Sequence, residues 1–413
     1  MIRKSLLQLI FSGSFMKRWN DKLRPVELWE VDKQAHKMIT AWALYQENCA
    51  GGFGSQDELE LGREVIEGGI FEYLYRLVIT DIKPPVFYRI KANPEHYRQL
   101  TQWVLQQLQP RVQSLGPEFW ARLQEYFTIP EPTGLARDIL GAAHLYASQW
   151  EFHLIRGINP WDEELAEIET AFDRGLADYG HVQGVPQMLD QKRNSLGLFL
   201  RQCGQLRFQK RWSQTPRIPE TSVLGHMFIV ACYAYFFSLV NGSCPRMAQN
   251  NFFAGLFHDL PELLTRDIIS PVKRSVAEIG DLIREYEEHE VQQRVLSLLQ
   301  RGGYGHVAGR LHYFLGLAFG SEFVPTVNAG GEARNVSREE LMDTCNRDDQ
   351  DPKDGELLKV CDSLAAFIEA YTAMRNGITT DQLSQAVWRI RKDYNQFDLG
   401  NGLHIGSLLA DFD

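Results

Sequence analysis

Four residues of the types that bind divalent metal ions stand in otherwise apolar stretches of the chain: His226, the doublet His258-Asp259, and Asp362. A carboxylate beside an imidazole is expensive to bury without a partner, whereas a divalent cation satisfies both through oxygen and nitrogen. A single histidine in such a stretch is usually a hydrogen-bonded core residue, and one His-Asp pair is unremarkable. The ordered set, in which His258 follows His226 by 32 positions, is more specific and predicts a metal site.

Helices must position these residues, because helical periodicity dominates the chain. Apolar residues recur at i, i+3 or i+4 and i+7 around residues 36–46, 226–240 and 359–375, and convincing alternating strands are absent. The pattern predicts an almost all-α protein. Residues 320–354 differ, because they are rich in Gly, Asn, Asp and Glu. We expect a long polar surface loop there.

Short stretches recur in the same order in both halves of the chain, which indicates a duplication. The matched pairs are 15–19 with 208–212, 35–41 with 225–231, 68–86 with 254–272, and 142–158 with 362–378. The first pair reads FMKRW and FQKRW, and the third aligns without a gap with 8 identical residues out of 19. The sequence therefore predicts two homologous helical domains, residues 1–190 and 191–413, with the 320–354 loop inserted in the second.

The ordered H…HD…D set resembles the HD superfamily of metal-dependent phosphohydrolases. Arg-Trp at 211–212, fourteen residues before His226, and HDLPELLTRDIISPVK at 258–273 resemble the bacterial 5'-deoxynucleotidase branch more closely. The resemblance implies that one divalent ion (Mn, Co, Mg, Zn, Fe or Ni) is held by four residues: His226, His258, Asp259 and Asp362. One departure is Gly225, because this family commonly has a glutamate just before the first metal histidine.

The resemblance also implies two catalytic carboxylates. Glu262 follows His258 by about one helical turn and projects to the same face, so it would orient or deprotonate the attacking water. The alternative is that Glu262 is a solvated carboxylate on a helix surface without a catalytic role. Asp267 would assist at the site or protonate the leaving oxygen. Because Asp81 stands at the matching position of the first half, Asp267 could instead cap a helix or turn.

Three further residues are implied to bind substrate. Arg211 would clamp the phosphate through a bidentate contact, and Lys273 could add a point charge, although either could simply form a surface ion pair. Trp212 resembles the family tryptophan that packs against the sugar and helps to exclude a 2'-hydroxyl. Trp19 occupies the same place in the first half, so a structural role for Trp212 is the alternative.

The first half of the chain lacks most of the predicted metal ligands. The alignment pairs His36 with His226, but it replaces the His-Asp doublet by Glu72-Tyr73 and the last aspartate by Ala142. We therefore expect residues 1–190 to form a degenerate HD-like domain with a structural or regulatory role. A relic nucleotide pocket that uses Arg18 is the weaker alternative.

The net charge, the cysteine content and the apolar runs of the chain restrict the functions that it could have. A net charge of -10 argues against a sequence-independent grip on nucleic acid, which needs a basic face. Six scattered cysteines without a CxxC pair fit reduced thiols in a cytoplasmic protein. No run of residues approaches the ~20 apolar residues of a membrane span, so we expect no membrane partner.

We expect an enzyme that hydrolyses the phosphomonoester of a (deoxy)nucleoside 5'-monophosphate or a similar small phosphate ester, and that could form homo-oligomers. One alternative is another HD reaction, the hydrolysis of nucleoside triphosphates or cyclic nucleotides. The other is a non-catalytic protein that binds a nucleotide and regulates a partner.

Overall fold

A computed structural model describes residues 2–50, 55–129, 133–265 and 277–413. Within these residues the protein is overwhelmingly helical, and the strands form a single two-stranded hairpin. The all-α prediction is confirmed. The observed periodicity is the cause, because apolar stripes at helical spacing must pack against other helices.

Residues 1–190 contain nine of the described helices. They are α1 Lys4–Phe11, α2 Glu30–Cys49, α3 Ser55–Ile79, α4 Pro84–Lys91, α5 Pro94–Val112, α6 Pro117–Thr128, α7 Leu135–Arg156, α8 Glu164–Asp178 and α9 Val185–Leu189. Prolines at or next to the first position of α4, α5 and α6 suit helix starts, where the missing N–H costs no hydrogen bond.

Residues 191–413 contain the remaining described elements. The helices are α10 Ser195–Cys203, α11 Val223–Asn241, α12 Pro245–Phe257, α13 Glu262–Thr265, α14 Ala277–Val291, α15 Ser297–Arg301, α16 Gly305–Phe314, α17 Arg338–Asp343, α18 Gly355–Arg375, α19 Asp381–Tyr394 and α20 Ile405–Ala410. The strands are β1 Thr326–Ala329 and β2 Glu332–Asn335. A short π-helical segment, Gln292–Leu296, joins α14 to α15.

Helix α11 lies at the centre of the molecule. Ser222 caps its first turn by accepting from the Gly225 N–H, and Gly242 ends it in the left-handed conformation that glycine tolerates best. Its 19 residues are long and apolar enough to cross a membrane, which corrects the expectation that no segment has this character. In the described structure 89% of its most apolar window is buried inside the protein, as in the core helix of a globular fold.

The two halves share one hydrophobic core. Helix α11 packs along α2, and aromatic side chains meet across the boundary. The Trp42 ring lies 4.6 Å from that of Phe257, and the Tyr73 ring lies 5.0 Å from that of Phe228. Such aromatic contacts add roughly 0.5–1.5 kcal/mol beyond their buried area. The first half is therefore part of the framework that holds α11 in place.

Residues 320–354 are folded, which corrects the expectation of a long polar loop. The strands β1 and β2 pair in antiparallel register, with Thr326 opposite Asn335. Val327 and Leu341 pack with Met247 of α12 in a small apolar cluster. These apolar residues are too widely spaced to produce a periodic pattern, so the sequence did not indicate the packing.

Candidate metal centre

Three helices deliver the four predicted metal ligands to one place. His226 lies in the first turn of α11, directly after the Ser222 cap. His258 and Asp259 follow the last residue of α12, where the chain turns before α13 begins. Asp362 lies in the second turn of α18. The helices hold these side chains in place because their apolar faces are packed in the core.

The ligand atoms are close together. His226 Nε2 lies 3.2 Å from an Asp362 carboxylate oxygen and 3.8 Å from an Asp259 oxygen, and His258 Nε2 lies 3.2 Å from the same Asp259 oxygen. The ligand atoms of His226, His258 and Asp259 all lie within 4.8 Å of one another. Asp362 joins this group through its short distance to His226.

The side chains fit a divalent cation. Both histidines are buried. The Nδ1 atom of His258 is 2.8 Å from the Gly255 carbonyl oxygen, which fixes the ring with Nε2 directed to the cluster. Within the described part of the chain, this buried Nε2 has no hydrogen-bond partner of good geometry. Two imidazoles with two carboxylates form a donor set that suits several divalent transition metals.

Charges in the cluster perturb its ionisation. Burial lowers the pKa of His258, but the neighbouring Asp259 carboxylate outweighs burial and raises this pKa to about 9. Burial raises the pKa of Asp259, but the adjacent His258 and His226 hold it well below its usual value. Without a metal, a proton on His258 therefore supplies the positive charge that balances the carboxylates.

Metal binding is expected to strengthen as pH rises, because His258 must lose its proton to become a ligand. With a pKa of about 9, each pH unit below that value should weaken the apparent affinity about tenfold. Calorimetric titration with Mn²⁺ between about pH 6 and pH 8, in buffers that differ in ionisation enthalpy, measures the affinity and the protons released. An affinity independent of pH would contradict the assignment of His258 as a ligand.

Comparison with protein families finds a match for the part of the chain that contains the cluster. Residues 203–391 match the family model described as HD domain. This region is similar to HD domains. HD domains are in general metal-dependent hydrolases, and the matched range includes all four residues of the cluster. No curated protein and no solved structure shows significant similarity to the chain.

Arg211 lies beside the cluster of candidate metal ligands. Its Nη1 atom donates to Asp259 at 3.3 Å, and its Nε atom donates to Glu369 at 3.3 Å. Trp212 directs its indole Nε1 to Glu369 at 2.8 Å and packs its ring near Ala373 and Leu383. The arginine thus borders the cluster, whereas part of the tryptophan is used for packing.

Glu369 is a residue of the site that the sequence prediction missed. Its carboxylate is fully buried and accepts hydrogen bonds from Arg211, Trp212 and Thr221. One oxygen lies 3.7 Å from His226 Nδ1, on the opposite side of the ring from the cluster. Burial raises the pKa of Glu369, but the nearby Arg211 guanidinium holds it far below its usual value. The sequence feature that could have identified Glu369 is its position, two helical turns after Asp362 on an apolar helix face.

The other predicted residues are distributed as follows. Glu262 begins α13, is largely buried, and adds negative charge near Arg211. Asp267 and Lys273 lie outside the described residues. A lysine that the sequence prediction did not select is closer: Lys359 Nζ donates to Asp362 at 2.8 Å and lies 4.3 Å above the Phe323 ring.

Residues 1–190 repeat the surroundings of Arg211 and Trp212. Trp19 and Trp212 share the same unusual backbone angle, a φ of 57°. The Trp19 indole donates to Glu151 at 3.0 Å, as Trp212 donates to Glu369. Glu151 is therefore the structural equivalent of Glu369.

The equivalent of His226 is Lys33, which corrects the alignment with His36. The chain forms an isolated antiparallel bridge just before α2 and again just before α11, at Lys17–Trp29 and Lys210–Ser222. Lys33 and His226 each follow the second bridge residue by four positions. His36 lies elsewhere, with Nε2 donating to the Leu200 carbonyl at 2.9 Å and Nδ1 accepting from Arg207 at 3.2 Å.

A lysine–histidine contact thus replaces the first metal-ligand pair in the N-terminal half. His144 stands seven positions before Glu151, as Asp362 stands seven positions before Glu369. This spacing matches His144 with Asp362, whereas the sequence alignment matched Ala142 with Asp362. Lys33 Nζ donates to His144 Nδ1 at 2.8 Å. Burial lowers the pKa of Lys33 to about 7. Among the described residues, the one group with metal-ligand geometry is that of the HD domain.

Proposed function

We propose that this chain is a metal-dependent phosphohydrolase that cleaves the phosphomonoester of a nucleoside 5'-monophosphate. The observation that carries the proposal is the cluster of two buried histidines and two partly exposed aspartates with the Arg211 guanidinium beside it. A phosphate ester carries negative charge that such a site can neutralise on two sides, by the bound cation and by the arginine.

The residues of the chain divide the chemistry between them. His226, His258, Asp259 and Asp362 would hold a divalent ion, which lowers the pKa of bound water and polarises a phosphate oxygen. Arg211 uses Nε and Nη1 for Glu369 and Asp259, so its Nη2 group can donate to a phosphate oxygen.

Water activation is assigned to Glu262. This glutamate starts the helical turn that follows the His-Asp doublet, so its carboxylate would accept the proton of the attacking water. Asp267, which lies outside the described residues, would return a proton to the leaving oxygen.

The substrate class rests on the resemblance to 5'-deoxynucleotidases, which includes the Arg211-Trp212 pair and Lys273. The half-buried Trp212 ring borders the guanidinium that would hold the phosphate, and a flat aromatic surface next to a phosphate site suits a nucleoside. The alternatives remain hydrolysis of nucleoside triphosphates or cyclic nucleotides, and nucleotide binding without catalysis.

A phosphate-release screen tests the proposal. The protein is assayed against deoxy- and ribonucleoside 5'-monophosphates, triphosphates and cyclic nucleotides with Mn²⁺, Co²⁺ or Mg²⁺. Release from monophosphates that requires the metal supports the proposal. Release from triphosphates or cyclic nucleotides alone favours the second reaction class. Nucleotide binding without any release favours the regulatory role.

We further propose that residues 1–190 are a degenerate copy of the HD domain with a structural role. The repeated Trp19 and Trp212 geometry and the matched Glu151 and Glu369 contacts support a common origin. In the first copy, Lys33 takes the place of a metal ligand and donates to its histidine neighbour, so this half would hold no cation.

Replacing Lys359 with alanine is expected to raise the KM for a nucleotide about tenfold, because the ammonium beside Asp362 contributes positive charge where a phosphate would bind. Side-chain exposure of 48% keeps the expected effect modest. Lys392→Ala is the matched control, since Lys392 also covers an aromatic ring, that of Trp388. Equal KM values for both variants would remove Lys359 from the substrate site.

A further inference from the structure

Gly225 precedes His226 and has a neighbour from the other half of the chain. A Cβ atom at Gly225 would lie 2.6 Å from an Asp32 carboxylate oxygen and 2.8 Å from a Val31 methyl carbon. The Asp32 carboxylate therefore occupies the space that a side chain at position 225 would need. Position 225 is where the resemblance to 5'-deoxynucleotidases predicts a glutamate, so the region that lacks its own carboxylate receives one from α2.

The Asp32 carboxylate is held by a defined hydrogen bond. Asp32 is buried, with 2% of its surface exposed, and it accepts from the Ser222 hydroxyl at 2.6 Å. The same hydroxyl oxygen accepts from the Gly225 N–H at 2.9 Å. Because the hydroxyl proton is directed to Asp32, a lone pair of the oxygen is left for the first turn of α11.

This chain of contacts ends at a metal ligand. The Ser222 carbonyl accepts from the His226 N–H at 3.1 Å, so Ser222 fixes both the cap of α11 and the backbone of the histidine. An N-cap contact that is itself oriented by a buried carboxylate restricts the entry angle of the helix. The direction of the His226 side chain depends on that angle.

We propose that Asp32 is a positioning residue for the metal centre of the HD domain. The first half of the chain provides, through Ser222, the carboxylate that holds the first turn of α11 and its histidine in register with Asp362. This inference rests on the proposed metal site. If Asp32 has this role, the N-terminal half contributes to the metal site although residues 1–190 contain no metal-ligand motif of their own.

The test measures Mn²⁺ affinity by calorimetry in the full-length protein. Asp32→Ala is expected to weaken binding about 10–100-fold, the range for loss of a group that orients a metal ligand. Asp32→Asn keeps an acceptor for the Ser222 hydroxyl and should weaken binding less. Glu72→Ala is the matched control, because it removes the partly exposed carboxylate partner of the buried Lys37 in the same half. It should leave the Mn²⁺ affinity unchanged.

A second pair of variants covers the case in which Asp32→Ala does not fold. Gly225→Glu alone places a side chain against Asp32 and should weaken Mn²⁺ binding. Combining Gly225→Glu with Asp32→Gly removes the closer of the two contacts, the one with the Asp32 carboxylate. It also returns a carboxylate to position 225, so binding should recover by at least about tenfold over the single variant. No recovery, or an Asp32→Ala protein that is folded and binds Mn²⁺ like the unmodified chain, overturns the inference.

These measurements distinguish a failure of the Asp32 inference from a failure of the proposed function. Unmodified protein that binds Mn²⁺ but releases no phosphate from any nucleotide contradicts the phosphohydrolase proposal and leaves the Asp32 comparison intact. Active protein whose Mn²⁺ affinity and kcat are the same with and without Asp32 contradicts only the positioning role. A positional change should appear in kcat and in metal affinity, with little change in KM for the nucleotide.

Discussion

His258→Ala is expected to abolish stoichiometric metal binding and to reduce phosphate release by about three orders of magnitude, the size that loss of several kcal/mol of metal-derived stabilisation would produce. The physical reason is geometric. The Nε2 atom of His258 is buried, is directed to the cluster, and lies 3.2 Å from the Asp259 oxygen. Alanine removes one of two nitrogen ligands and leaves Asp259 with less compensating charge.

Two measurements check this result: the metal content after dialysis, determined by mass spectrometry, and the kcat for a nucleoside monophosphate. His306→Ala is the matched control, since the His306 imidazole pairs with Glu47 at 2.9 Å and lies outside the cluster. The control should retain both the metal and the activity. Unchanged phosphate release by the His258 variant would remove the metal centre from the mechanism.

Glu369→Ala should destabilise the protein and weaken the metal site at the same time. The change leaves Arg211 and the Trp212 indole without their buried acceptor, and loss of one partner of a buried ion pair costs about 3–5 kcal/mol. The variant also removes the carboxylate 3.7 Å from His226 Nδ1. Loss of such an outer-shell partner typically costs about 10–100-fold in metal affinity.

The repeated geometry offers an internal control for this prediction. Glu151→Ala removes the equivalent carboxylate, which binds Arg18, Trp19 and Arg207. Thermal unfolding should show that both variants are destabilised, whereas Mn²⁺ titration should show weaker binding for Glu369→Ala alone. Equal metal affinities in the two variants would mean that Glu369 serves stability only.

The fold class and the convergence of the four candidate ligands could be predicted from the sequence, because each depends on a local pattern. Apolar periodicity predicts helices, and the order of His226, His258, Asp259 and Asp362 predicts their convergence. Contacts between distant segments are harder to predict. Glu369 has no ligand motif around it, and its partners come from residues roughly 150 positions earlier in the chain.

The misplaced equivalence of His36 has a simple geometric cause. Lys33, which has the position of His226 relative to the bridge before its helix, stands three positions before His36. A shift of three residues is close to one helical turn of 3.6 residues, so the apolar face of α2 matches α11 almost as well in either register. The sequence alignment therefore preferred the matching histidine. The backbone contacts before the two helices share the offset of the FMKRW and FQKRW pair and place Lys33 opposite His226.

The burial of α11 has a consequence for synthesis of the chain. Residues 223–241 form the most membrane-like segment that the structure describes, and such a segment aggregates readily while it is exposed. The ribosome releases residues 1–190 first, and domains generally fold in that order. When α11 emerges, α2 and its aromatic residues already offer the surface that α11 will cover. We therefore expect the N-terminal half to cover the apolar surface of α11 as the chain folds.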